Sequence, residues 1–185
     1  MQQLELKNFT SENKFKNISL TVKAGEIMGV CGLLGAGKSE LARAVYGLDS
    51  YDSGELYLYG EEIRNPSPEK MMAKGTALIT EDRKQEGFSQ LLSIRETITL
   101  SNLGSFCNKA GVIKETGRKK FAEDMAKRMT VKCDSIEQRI SELSGGNQQR
   151  SLSEDVSQVC PGCSFWMNLQ EGGCICKDGD IQYID

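Results

Sequence analysis

The sequence predicts an α/β fold, and three observations lead there. A compact apolar run, Ile27-Met28-Gly29-Val30-Cys31, ends at Gly32. A glycine-rich loop follows and opens directly onto SELARAVYGL, residues 39–48, whose apolar positions recur at helical spacing. Strand-like alternation and helical periodicity then succeed one another along the chain, the order expected of a layered domain of sheets and helices.

The elements follow in chain order. LELKNF (residues 4–9) and ISLTV (18–22) alternate and predict two strands, with KAGE (23–26) as a turn. IMGVCG (27–32) predicts a buried strand, and SELARAVYGL a helix that closes at Gly47. GELYLYG (54–60) alternates and predicts an exposed strand. PSPEKMMAKG (66–75) predicts a short helix ended by Gly75, and TALIT (76–80) a short buried strand. Residues 93–150 are expected to be mostly helical, through SIRETITLSNLG, the charged amphipathic KETGRKKFAEDMAKRM and IEQRISELSGGNQQR.

The chain's 185 residues suffice for one domain with a real core. A net charge of -3 gives no basic surface for nucleic acid, so no nucleic-acid partner is expected. No apolar run reaches membrane-spanning length, and MQQLELKNF lacks the apolar centre of a signal peptide, so a cytosolic location is the default expectation. The absence of histidine removes imidazole acid–base chemistry and any histidine-containing metal site. Of the seven cysteines, Cys31, Cys107 and Cys133 are scattered, whereas Cys160, Cys163, Cys174 and Cys176 crowd into residues 151–185.

Gly32-Leu33-Leu34-Gly35-Ala36-Gly37-Lys38-Ser39 matches the phosphate-loop pattern G-x-x-x-x-G-K-[ST] in full, in the strand–loop–helix setting that the pattern requires. Glycines let backbone N–H groups converge on phosphate oxygens, and the next helix presents its positive end to the same anion. Gly32, Gly35, Ala36 and Gly37 would form the cradle, with Glu40 in the adjoining helical turn. Lys38 would reach the β- and γ-phosphates of ATP, and the Ser39 hydroxyl is the expected Mg²⁺ ligand. The alternative for such a run is a glycine-rich turn with a surface lysine.

Leu143-Ser144-Gly145-Gly146-Asn147-Gln148-Gln149-Arg150 is the second signal. With the phosphate loop upstream, LSGGNQQR resembles the signature of ABC-transporter ATPases, and its NQQ form is similar to the sugar-importer branch. ITEDRKQEGF (79–88) resembles the second of two tandem ATPase halves, with Glu81 where most of the family carries a glutamine that senses Mg²⁺ and faces the permease. The resemblance implies a P-loop nucleotide-binding domain with an antiparallel β subdomain and an α-helical subdomain. It implies that Ser144, Gly145 and Gly146, with Gln148 beside them, close on ATP held by the phosphate loop of the opposite half. It implies work beside membrane permease subunits on the inner face of the plasma membrane. A second ATPase half would be a direct partner, and a periplasmic or extracellular sugar-binding protein an indirect one. Adenine stacks on an aromatic near the first strands in such proteins; Phe9 and Phe15 are the candidates, each with a core or turn role as the other reading.

The family next has an apolar strand ending in Asp-Glu-Pro, whose Asp helps hold Mg²⁺ and whose Glu polarises water, and later a histidine. Here the chain runs SLSEDVSQVCPGCSFWMNLQEGG instead. One reading is a zinc ribbon, with Cys160-x-x-Cys163 and Cys174-x-Cys176 supplying four thiolates to a stabilised adaptor. The genetic code supplies another. Phe165-Trp166-Met167-Asn168 is encoded by TTY TGG ATG AAY, and from the third base this reads YTG GAT GAA, which is Leu-Asp-Glu whatever the open bases are. The allowed neighbouring codons admit LILDEPTRG, the motif otherwise missing. Residues 173–184 give a weaker echo from the second base, which needs a further slip near Gly172. Residues 1–150 are thus expected to be a partial ABC ATPase domain, and residues 151–185 an out-of-frame tail that packs poorly and leaves the core sheet short of a strand. Second-half features beginning at Met1 imply an upstream first half. Nucleotide binding is expected to survive while hydrolysis is very weak; a non-hydrolysing nucleotide-binding module is the alternative.

Overall fold

The computed structural model describes residues 2–33, 35–79, 89–128, 130–148, 151, 165–168 and 173–175. The chain divides into two compact units, Met1–Glu81 with Cys160–Asp185, and Asp82–Val159.

Among the described residues the first unit holds two four-stranded sheets. Strands β1 (Gln2–Ser11), β2 (Phe15–Lys23), β4 (Ser53–Leu58) and β5 (Glu61–Glu62) pair antiparallel in the order β2-β1-β4-β5. Alternation puts Leu4 and Leu6 of β1 on the core face, and a bulge brings Phe9 there too, where Val22, Leu56 and Leu58 meet them. Phe9 is fully enclosed, stacked on Phe15 and tilted against Tyr51, at ring separations of 5.8 and 4.3 Å. A register shift between Leu6 and Phe9 leaves Asn8 at φ 50°. Gly54 crosses this bulge at φ 105°, where a Cβ would lie 2.6 Å from the Asn8 carbonyl oxygen, so no side chain fits. The exposed strand expected at residues 54–60 is corrected: Leu56 and Leu58 are fully buried, because β4 lies between β1 and β5 with one face turned to the core.

The second sheet runs β3-β8-β7-β6, from β3 (Ile27–Gly29), β6 (Thr76–Ile79), β7 (Phe165–Asn168) and β8 (Gly173–Ile175). β6 and β7 are parallel, and the other pairs are antiparallel. The expected gap in this sheet is therefore filled in backbone terms, since Phe165–Asn168 lies between β6 and β8. The buried strand expected at residues 27–32 is short and lies at the sheet edge, with Met28 half-buried and Cys31 exposed. Helix α1 (Lys38–Tyr46) buries Leu41, Ala42, Ala44, Val45 and Tyr46 and ends at Gly47 in the left-handed region. Helix α2 (Pro68–Ala73) begins at a Ser67 cap and contributes Met71 to the core.

The second unit is helical, with α3 (Ile94–Thr99) and α4 (Glu115–Arg128) enclosing Ile94, Ile98, Ala122, Met125 and Ala126. Ser93 and Glu96 form a reciprocal capping box at the start of α3. Between α4 and the signature the helical expectation holds only as a single 3-10 turn, Ile140–Glu142. Ile136, Ile140 and Leu143 have helical spacing and are buried. The backbone around them instead pairs with the start of α3: the Ile94 and Arg95 N–H groups donate to the Gln138 and Ile136 carbonyls, and the Ile140 N–H donates to Leu92. This turn satisfies donors that every helix start leaves open. Helical geometry resumes at residues 145–148. Among the described residues, no helix is long and apolar enough to cross a membrane.

Candidate phosphate-binding site and signature segment

The loop between β3 and α1 is built around two left-handed glycines, Gly35 at φ 79° and Gly37 at φ 80°. These angles suit glycine and strain other residues, and they curl the backbone into a concave turn. Their surroundings differ. No heavy atom lies within 4 Å of the place where a Gly35 Cβ would sit, so the loop is open on that side. At Gly37 the Cβ position is 2.2 Å from the Lys14 carbonyl oxygen, so the loop's exit rests on the turn between β1 and β2.

That turn is itself braced. Lys14 Nζ donates to Asp49 Oδ2 at 2.9 Å, and Arg43 Nε lies 3.5 Å from Asp49 Oδ1. The Lys14 hydrogen bond holds the Asp49 carboxyl below its usual range, with Arg43 adding to the effect. Sequence reading missed Lys14 and Asp49, because only the fold brings residues 35 positions apart beside the loop.

Lys38 opens α1, and its ammonium turns back over the loop to donate to the carbonyls of Gly32 (2.9 Å) and Leu33 (3.1 Å). The Ala36 N–H closes a tight turn on the Leu33 carbonyl at 3.0 Å. Ser39 and Glu40 are half-buried in the first turn of α1. The structure thus gathers Gly32, Gly35, Ala36, Gly37, Lys38 and Ser39 around one loop. The donor set suits a phosphate chain: backbone N–H groups at a helix start, one cation and one hydroxyl. The hydroxyl of Ser39 and phosphate oxygens are also the hard ligands that Mg²⁺ takes.

In the second unit the exposed Ser144 precedes the 145–148 turn, whose Gln148 N–H donates to the Ser144 carbonyl at 3.0 Å. A Cβ on Gly146 would meet nothing within 4 Å, so packing inside this unit does not demand glycine there. Gln148 is turned inward rather than toward a ligand. It is 6% exposed, and its Nε2 donates to the Ile140 and Leu143 carbonyls at 3.2 and 3.0 Å. Its role is to hold the short turn before the signature. Phe9 and Phe15, proposed for adenine stacking, are both core residues, 0% and 6% exposed, so neither offers a free ring face. Glu81, Cys160, Cys163 and Cys176 lie outside the described residues, and only the backbone of Cys174 is described. Among the described residues, no group of three or more metal-ligating side chains could hold a metal ion.

Residues 15–152 match the ABC transporter family. The ribose import ATP-binding protein RbsA of Oceanobacillus iheyensis is 46% identical over 147 residues, which is 80% of this chain and 29% of that protein. RbsA of Bacillus subtilis is 42% identical over 146 residues, 79% of this chain and 29% of that protein. The chain therefore spans under a third of the length of these relatives. Among solved structures, a nucleotide-free ATP-binding cassette from an ABC transporter superposes with a TM-score of 0.68 at 19% identity, covering 86% of this chain and 66% of that one. The dimeric ABC transporter cassette MJ0796 gives 0.63 at 23% identity, covering 83% and 68%. The chain belongs to the ABC transporter family, and its fold is that of an ATP-binding cassette.

Proposed function

We propose that this chain is part of the ATP-binding subunit of a bacterial sugar importer and binds ATP through its phosphate loop. The observation that carries the reading is the loop itself, where two left-handed glycines, a helix start, Lys38 and Ser39 converge in the pattern a phosphate chain requires. Lys38 already holds its ammonium over the loop and would exchange carbonyl partners for phosphate oxygens. Ser39 would ligate Mg²⁺, which draws negative charge from the terminal phosphates. Ser144 and the backbone N–H groups of Gly145 and Gly146 would close on nucleotide held by a second ATPase half. The unneeded openness at Gly146 supports this, since a helical glycine without a packing role costs about 1 kcal/mol relative to alanine.

The same reading places the working protein against membrane permease subunits on the cytoplasmic face, with a sugar-binding protein delivering cargo outside. Ribose is the sugar named for the relatives at 42–46% identity, which supports ribose or a similar sugar as cargo. In this reading residues 151–185 are translated out of frame. They carry neither the acidic pair nor the histidine of the family, so the chain as written binds ATP and hydrolyses it at a negligible rate.

Calorimetric titration of the purified chain with ATP and Mg²⁺ tests this. The expected result is saturable binding that Lys38→Ala weakens by about tenfold or more, the loss of one charge-assisted contact. Equal affinity in the two proteins would remove the phosphate loop from the account.

A further inference from the structure

We propose that Asn147 is a positioning residue that turns the Ser144 hydroxyl outward as a hydrogen-bond donor. The proposal rests on the reading of the signature segment given above and adds to it how Ser144 is prepared. The Asn147 carboxamide pairs with both backbone groups of one residue. The Lys132 N–H donates to Asn147 Oδ1 at 3.2 Å, and Asn147 Nδ2 donates to the Lys132 carbonyl at 3.3 Å. This pairing fixes which end of the amide is oxygen, because the flipped arrangement would set donor against donor and acceptor against acceptor.

The consequence falls on Ser144. The second hydrogen of Nδ2 points to Ser144 Oγ at 3.2 Å. Oγ meets a donor there and must accept, so its own proton is directed elsewhere. Ser144 is exposed, so that proton faces outward, where a phosphate oxygen would need it. An unconstrained serine hydroxyl near a helix readily turns to a local carbonyl instead. The anchor is firm because Lys132 follows the end of α4, where Thr130 and Val131 donate to the carbonyls of Lys127 (3.1 Å) and Ala126 (2.9 Å). Asn147 thus ties Ser144 to the segment that leaves α4.

Two measurements on the full chain test this. In the ¹H–¹⁵N spectrum, Ser144→Ala is expected to shift one of the two Asn147 side-chain amide protons and leave the other, bonded to Lys132, in place. Unchanged resonances would overturn the proposal. The second measurement is ATP-dependent association by sedimentation, in a double-mutant cycle. Asn147→Ala and Ser144→Ala are each expected to weaken association about tenfold, and the double variant no further, since one residue acts through the other. Additive losses would overturn the proposal. Asn147→Asp keeps the shape and the Lys132 N–H bond but gives up the bond to the Lys132 carbonyl and offers Ser144 an acceptor, so it should weaken association at least as much while the Lys132 amide stays protected from exchange. A wild-type chain that never associates with ATP would sink the reading of the signature, and the amide protons alone would then judge the hydroxyl's orientation.

Discussion

At Gly37 a side chain would set its first carbon 2.2 Å from the Lys14 carbonyl oxygen, on a backbone already at φ 80°. Both faults are local and neither is relieved by a rotamer. Gly37→Ala is expected to cost about 1–3 kcal/mol in urea unfolding and to lose ATP binding with it, because the loop cannot keep its curl. Glu96 makes a second prediction at this scale. Its carboxylate accepts from the Ser93 N–H and hydroxyl, and the backbone bond chiefly holds its pKa below 4.5. A depressed folded pKa stabilises the protein above the unfolded value, and that contribution disappears as pH falls through the folded one. Stability should therefore drop below about pH 4.5 by less in Glu96→Gln than in the parent, as equilibrium unfolding at stepped pH would show. An identical acid profile in both would contradict it. The loop residues were legible in sequence because chemistry dictates their identity and spacing. Lys14, Asp49 and Asn147 were not, because their partners are set by the fold: Lys14 and Asp49 lie 35 positions apart, and Lys132 and Asn147 lie 15 apart.

Among the elements, α3 shows how a short helix is kept. It has six residues, too few to persist alone, and its start is fixed by the Ser93–Glu96 box and by the carbonyls of Ile136 and Gln138. Ile98 is fully enclosed in the core it shares with α4. Ile98→Ala is expected to cost about 2–5 kcal/mol, read as a lower midpoint in urea with little change in slope. A change under about 1 kcal/mol would show that this core is not close-packed. Apolar residues at helical spacing located α1, α3 and α4, whereas α2, which buries only Met71, was placed by the glycine that ends it. The same spacing misassigned residues 136–139, a turn whose carbonyls cap a neighbouring helix, and overstated residues 140–142, which form a single 3-10 turn. Alternation found β4 but not its buried face, because burial depends on which strands flank it.

In the molecule as a whole, a cassette gives way to a segment of different character. The family match stops at residue 152, and the chain continues to residue 185 with a composition unlike what precedes it. The backbone nevertheless places Phe165–Asn168 as a strand parallel to β6, and these are the four residues whose codons spell Leu-Asp-Glu in the shifted frame. A cassette that keeps its phosphate loop and loses its acidic strand would retain ATP binding and lose turnover. We infer that a single ATPase coding sequence runs through this locus and leaves its frame near Arg150. Resequencing the genomic DNA across the Arg150 codon and past that of Asp185 tests it most directly. One base missing or added near that codon, with the restored frame running through Leu-Asp-Glu-Pro, is the predicted result. DNA that confirms every base, with no such continuation in the shifted frame, would contradict it.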